Sequence, residues 1–164
     1  MIGLLAAALV AASGLEVTPG RTNAAVYAVT HGLVVANVVR NCRRYEARLG
    51  GNLDEALSAW RERNAERAAA AEGYLEFARS AIERQEGVTA SLAFEERTRA
   101  LSRRKANEAL NDIFERATPQ EWTCRTWLEA IVAGKADLDH EPKHLPALDE
   151  LVEFERRVRR GEAR

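Results

Sequence analysis

The chain has 164 residues and a formal net charge of −1, with 46% hydrophobic and 30% charged residues. That length suffices for one domain with its own core, and the balance of residues is typical of a soluble globular protein. The near-neutral charge produces no overall attraction to nucleic acid or to an anionic membrane, so we expect no nucleic-acid partner.

The first feature along the chain is an uninterrupted apolar run over residues 2–12. It is shorter than the roughly 20 residues of a membrane-spanning helix but has the length of a signal-peptide core. Small side chains at Val10, Ala11 and Ala12 suit a signal peptidase. We therefore predict a signal peptide over residues 1–12 and a periplasmic or secreted mature chain without a transmembrane span. An uncleaved anchor and an ordinary buried helix are the alternatives.

The chain contains two cysteines, Cys42 and Cys124. In an oxidising compartment such a pair is expected to form a disulfide, whereas in the cytosol both would be buried free thiols. A bridge closing a loop of about 80 residues would stabilise the fold by about 4–5 kcal/mol in the chain-entropy picture.

Residues 13–23 contain Pro19 and Gly20 and lack periodicity, which predicts a flexible mature N-terminus. Residues 24–164 are predicted to form a single helical domain. Its first helix covers residues 24–49 and ends at Gly50-Gly51. Asn52, with Glu55 three residues later, marks the start of a second helix that runs to Gly87. Its apolar face is formed by Leu53, Leu57, Trp60, Asn64, Ala71, Tyr74, Leu75, Ala78 and Ile82.

A third helix is predicted over residues 89–117, with an apolar face of Leu92, Leu101, Leu110, Ile113 and Phe114. Thr118-Pro119-Gln120-Glu121 has the pattern of a helix start, with Thr118 as the cap. That fourth helix ends near Gly134, residues 135–145 form a loop, and Pro146 opens the last helix. The expected fold is an all-α antiparallel bundle of about five helices, stapled by Cys42 and Cys124.

Trp60, Trp122 and Trp127 are candidate interaction residues, although aromatic side chains at helical spacing also form plain core. Trp122 and Trp127 point about 140° apart on a helix, so one of them should be partly exposed and suit a partner contact. Asn64 lies on an apolar helix face, where it either fixes the register, reaches a ligand or is hydrogen-bonded at the edge of the core.

His140-Glu141-Pro142-Lys143-His144 matches the H-E-x-x-H pattern of zinc proteases. The pattern requires a helix, and Pro142 interrupts it, so a solvated loop is expected. His140 and His144 are thus weak metal candidates, and the single E-x-x-H copy does not satisfy a di-iron site. With no phosphate-binding loop or nucleophile motif present, we predict no cofactor.

These features together predict a small exported helical protein that is not an enzyme. It would bind another protein, acting as an inhibitor, immunity factor, adaptor or chaperone. One alternative is a metal-dependent hydrolase using His140, Glu141 and His144. The other is a membrane-anchored envelope protein that self-associates. The sequence leaves the oligomeric state open.

Overall fold

The computed structural model describes residues 16–115 and 119–161, and the regular structure in these ranges is helical, as predicted. The predicted signal peptide, residues 1–12, lies outside the described residues. The elements in chain order are α1 (Pro19–Cys42), a 3-10 turn (Arg43–Tyr45), α2 (Glu46–Leu49), α3 (Leu53–Arg63), α4 (Ala65–Glu86), α5 (Val88–Glu115), α6 (Gln120–Val132) and α7 (Leu145–Arg159).

Helix α1 is the element around which the others pack, since it contacts α3, α4, α5, α6 and α7. By length and composition alone, the helical segment Pro19–Leu49 could cross a membrane, since an 18-residue window within it has a mean hydropathy of 1.3. In the structure its alanine and valine side chains instead fill the core. The most deeply buried of them are Ala25, Val35, Val38 and Val39.

The start of α1 differs from the prediction, because the helix begins at Pro19 rather than at residue 24. Proline is well suited to the first turn of a helix, and the Thr18 hydroxyl accepts a hydrogen bond from the Arg21 amide. Buried Tyr74 accepts from the Thr18 amide at 2.9 Å and donates to its carbonyl at 3.1 Å. The expected flexible segment over residues 13–23 is therefore wrong for 18–23.

The predicted second helix is divided in two by Asn64, which ends α3 and precedes α4. Its predicted ends are confirmed. The Asn52 side chain accepts from the amides of Asp54 and Glu55, and Gly87 separates α4 from α5. Gly87 has φ of +90°, a conformation that side-chain-bearing residues rarely adopt. Helices α4 and α5 consequently form a long hairpin packed on α1.

The buried face of α5 consists of Ser91, Ser102 and Ala106 rather than the predicted leucines. Leu92 is exposed, whereas Leu110, Ile113 and Phe114 are partly buried against the core. Helices that approach closely leave room only for small side chains, and hydrophobicity alone does not identify such a face. The predicted apolar face is therefore correct only toward the C-terminal end of α5.

The C-terminal elements follow the prediction closely. Helix α6 begins at Gln120 with Pro119 as the flanking residue in extended conformation, one residue later than expected, and Thr118 lies outside the described residues. Residues 133–144 form turns, and α7 begins at Leu145 with Pro146 in its first turn. Phe154 of α7 packs edge-on against Tyr74 and Phe77, which joins α7 to α4.

Candidate functional site

The predicted disulfide is confirmed: Cys42 at the end of α1 is bonded to Cys124 of α6, with an S–S distance of 2.06 Å and a Cα–Cα distance of 5.4 Å. Both residues are buried. Their separation of 82 positions means that the bond joins distant parts of the chain. It fixes the N-terminal half of α6 against the end of α1.

Polar contacts surround the disulfide where the 3-10 turn and α2 meet α6. The Arg44 guanidinium and, at 3.4 Å, the Tyr45 hydroxyl donate to the side-chain oxygen of Gln120. Arg48 pairs with Glu121 at 3.0 Å. These contacts set the direction in which α6 leaves the disulfide.

The side chain of Arg125 adds a further contact between α6 and α2. Its guanidinium donates to the backbone carbonyl of Arg48 at 3.0 Å and lies 3.7 Å from Glu121. The guanidinium carbons of Arg44 and Arg48 lie 4.9 and 5.4 Å from the centre of the Tyr45 ring. Three guanidinium groups are thus held in place around one aromatic ring and one carboxylate.

The two tryptophans of α6 differ in exposure, as their spacing predicts. Trp122 is 63% exposed, whereas Trp127 is partly buried against the core. Val132, at the other end of α6, is 64% exposed. We call the outward side of this helix the α6 face and define it by Trp122, Thr126, Glu129 and Val132; it extends for about 15 Å.

A groove runs between α3 and α6 along the edge of the α6 face, with a volume of about 530 Å³. Its lining is largely apolar and comes from the turn after α2, from α3 and from α6. Among the lining residues are Gly51, Ala56, Ala59, Leu128 and Val132. The groove and the α6 face form one continuous surface because Val132 belongs to both.

Trp60 is buried and belongs to the core, the alternative that its helical spacing left open, so it offers no surface to a partner. Its indole nitrogen donates to the backbone carbonyl of Ala136 at 2.7 Å. The same carbonyl accepts from Nε2 of His31 at 2.8 Å, which requires the proton on that nitrogen. These two bonds hold the loop after α6 against α1 and α3.

Asn64 is buried and hydrogen-bonded, which agrees with the last of the three roles that its position on an apolar face allowed. Its amide donates to the Trp60 carbonyl at 2.7 Å and to Asp137 at 3.1 Å, and its oxygen accepts from the Leu138 amide at 2.8 Å. Arg63 pairs with Asp137 at 2.7 Å and also donates to the Ile131 carbonyl. The side chain of Asn64 is thus a structural link between the α3–α4 break and the loop over residues 133–144.

The two histidines of the H-E-x-x-H segment lie in turns, as Pro142 predicts. His140 is exposed, whereas the ring of His144 stacks on Tyr27 with 3.7 Å between ring centres. Glu141 pairs with Lys143 at 2.8 Å and lies 3.7 Å from His144. Within residues 16–115 and 119–161, no group of three or more His, Cys, Asp or Glu side chains is placed to hold a metal ion.

Burial, neighbouring charges and a hydrogen bond shift the pKa values of His144, Glu141 and Tyr27. Burial, reinforced by Lys143 and His31, lowers the pKa of His144 despite the opposing effect of Glu141. The hydrogen bond from Lys143 lowers the pKa of Glu141. Burial and the nearby Glu141 charge raise the pKa of Tyr27 to about 12. The neutral forms of His144 and Tyr27 are therefore those that suit the folded protein.

Sequence reasoning missed the arginines around the disulfide. Arg40, Arg44 and Arg48 recur at a spacing of four residues, which places them along one side of the helical path from α1 through α2. This spacing could have indicated a row of arginines on the surface. The contacts of Arg44 and Arg48 with α6 depend on the fold and could not be read from the local sequence.

No family model, curated protein or solved structure matches this chain.

Proposed function

We propose that this is a small exported protein without catalytic activity, which binds another protein through the α6 face and the adjoining α3–α6 groove. The observation that carries the proposal is the exposure of Trp122 on a helix that a disulfide anchors. An inhibitor, an immunity factor, an adaptor and a chaperone all act by binding of this kind.

Export is supported by two features at different places in the chain. Residues 2–12 have the length and composition of a signal-peptide core. The Cys42–Cys124 bond is of the kind that persists in the periplasm or outside the cell. We infer that the mature chain functions in one of these compartments.

Protein binding is supported by the composition of the α6 face. Tryptophan, tyrosine and arginine are the residues that most often dominate the binding energy of protein interfaces. Here Trp122 stands one helical turn from Arg125, and Val132 borders an open apolar groove. A partner that covered both would remove two large apolar side chains from water.

The disulfide supports the same proposal by restricting motion. A recognition surface on a rigid element loses less conformational entropy on binding than one on a mobile segment. Because Cys124 lies two residues after Trp122, the bond holds the start of α6 in the orientation that exposes the indole.

The proposal is tested by site-specific photocrosslinking in the native envelope. A photoreactive amino acid at exposed Thr126 should yield a discrete adduct with another protein, whereas one at exposed Ala100 of α5 should not. Trp122→Ser with Val132→Ser should remove the Thr126 adduct.

A matched control is available on α5, where Leu92 and Val88 are exposed to a similar degree as Trp122 and Val132. Leu92→Ser with Val88→Ser should leave the Thr126 adduct intact. The absence of an adduct at Thr126, or equal adducts at Thr126 and Ala100, would contradict the proposal.

A further inference from the structure

We propose that the partner presents an acidic segment to an arginine surface beside the α6 face. We define the arginine surface by Arg44, Arg48 and Arg125, together with Tyr45 and Trp122. The inference rests on the proposed protein-binding function and names the chemistry of the segment bound.

The charge of this surface is positive and accessible. Side chains of Arg48 and Arg125 are 62% and 49% exposed, and Arg44 is exposed as well. Glu121 is the carboxylate that pairs with Arg48 and Arg125. Arg44 bonds instead to the neutral side chain of Gln120. Glu121 is thus shared by two of the three guanidinium groups, which leaves a surplus that carboxylates of a partner would complement.

The guanidinium groups are preorganised for this role. Arg44 and Arg48 are both placed against the ring of Tyr45, and Arg125 is tied to the carbonyl of Arg48. Each of these contacts uses only part of the donor capacity of a guanidinium, which has five N–H groups. The remaining donors face solvent in fixed positions and suit the paired oxygens of a carboxylate.

Neighbouring acidic groups favour a protein segment over a membrane or a nucleic acid. Glu121 lies inside the surface, and the Arg43–Asp54 ion pair lies directly beside it. Acidic groups at fixed positions repel a continuous sheet or rod of phosphates but can be avoided by a peptide of matching pattern. The exposed indole beside the arginines offers an apolar contact to the same segment.

The test uses a fluorescein-labelled synthetic peptide in which glutamates flank a central pair of leucines, with its lysine counterpart as a charge control. Fluorescence anisotropy should show saturable binding of the glutamate peptide to the oxidised protein. The binding should weaken as salt is added, because exposed charges are screened. The lysine peptide should not bind.

Matched variants separate this surface from general charge effects. Arg44→Gln with Arg48→Gln should weaken binding by about tenfold or more, because the carboxylates lose two preplaced partners. Arg103→Gln with Arg104→Gln removes the same charge from exposed positions of α5 and should leave binding unchanged. Arg44→Lys with Arg48→Lys should restore part of the affinity, which would distinguish lost charge from disturbed folding.

Equal weakening by the α5 variant, or binding confined to vesicles of phosphatidylcholine and phosphatidylglycerol, would overturn the acidic-segment proposal. The Thr126 photocrosslink distinguishes a failure of the acidic-segment proposal from a failure of the proposed protein binding. If the adduct persists in full with Arg44→Gln and Arg48→Gln, protein binding stands and the acidic segment is wrong. If no adduct forms with the wild-type arginines, both proposals fail.

Discussion

Two regions of the molecule are held together in different ways. One is the four-helix part, which consists of α1, α4, α5 and α7. The other is the stapled end, which consists of residues 43–63 and 119–144. In the four-helix part, α1, α4 and α5 meet through small side chains such as Ala25, Ala71, Ala78 and Ser91, all fully buried. At the stapled end α6 and the loop after it are fixed by a covalent bond and by three hydrogen bonds to backbone groups. Trp60 and Arg63 donate to backbone carbonyls, and Asn64 accepts from the Leu138 amide.

This difference shows where the fold is sensitive to change. Close helix packing is spread over many small contacts, so it tolerates the loss of any one bond but not added volume. The stapled end depends on a few specific bonds, so it should be disrupted by their removal. The proposed binding surface lies on the part that depends on these bonds.

Removal of the disulfide should have the largest effect. Cys42→Ala with Cys124→Ala is expected to lower the free energy of unfolding by about 4–5 kcal/mol in the chain-entropy picture. Urea denaturation measures this value. Amide hydrogen exchange should show the largest loss of protection in α6, while α1, α4 and α5 change less.

Reduction of the wild-type protein provides the control, since it opens the same bond without changing a side chain. An unfolding free energy that is the same with and without the bond would contradict the distinction between the two regions. So would a loss of protection that is uniform over all the helices.

Asn64→Ala should have the next largest effect, a loss of about 2–3 kcal/mol. The substitution leaves the buried Leu138 amide without its acceptor and releases Asp137. Trp60→Phe should cost less, because the Ala136 carbonyl keeps its bond to His31. Thermal or urea unfolding of both variants, with exposed Asn41→Ala as the control, gives the ranking. A cost for Asn64→Ala no greater than for Asn41→Ala would be incompatible with the described network.

Added volume in the four-helix part should cost about 1–3 kcal/mol. Ala71 of α4 is fully buried, whereas Ala69 two residues earlier is exposed. Ala71→Leu is therefore expected to destabilise the protein and Ala69→Leu to leave it unchanged, as urea denaturation will measure. If Ala71→Leu were as stable as the wild type, the close packing of α4 would be refuted.

The smallest effect concerns pH and the stacked His144. Because its pKa is lowered by folding, the unfolded chain binds a proton more readily than the folded protein. Its contribution to stability is therefore complete above pH of about 6.5 and decreases as the pH falls below that value. Below pH of about 4.5 the lowered pKa of Glu141 adds a second loss in the same direction.

His144→Phe separates these contributions, because phenylalanine keeps a ring against Tyr27 but does not titrate. The variant should lose less stability than the wild type between pH 7 and pH 5, as followed by urea denaturation at each pH. His140→Phe, at an exposed position, should behave like the wild type. A wild-type stability that rises as the pH falls through this range would reverse the expected sign.

The sequence predicts those features that depend on neighbouring residues. The Asn52 cap, the glycine turns at Gly50 and Gly87 and the loop at Pro142 all follow from local backbone chemistry. The cysteine pair could be predicted because the chain offers one pairing only. That one of Trp122 and Trp127 is exposed followed from the angle between them on the helix, but which one is exposed did not.

Features that depend on distant contacts could not be predicted in this way. The helix break at Asn64 exists because its side chain bonds to a loop more than 70 residues later in the chain. The buried face of α5 carries Ser91 and Ser102 because α1 and α4 approach it closely. The local sequence of α5 does not indicate this close approach. The arginine surface is assembled from two segments that only the folded chain brings together.

We propose that the protein is exported and that the Cys42–Cys124 bond holds α6 in place there. The most direct measurement is the intact mass of protein recovered from the envelope fraction, alkylated at harvest and again after reduction. We predict no alkylation before reduction, alkylation of both cysteines after it, and a start near Ser13. A full-length chain with both thiols alkylated before reduction would contradict export and the staple together.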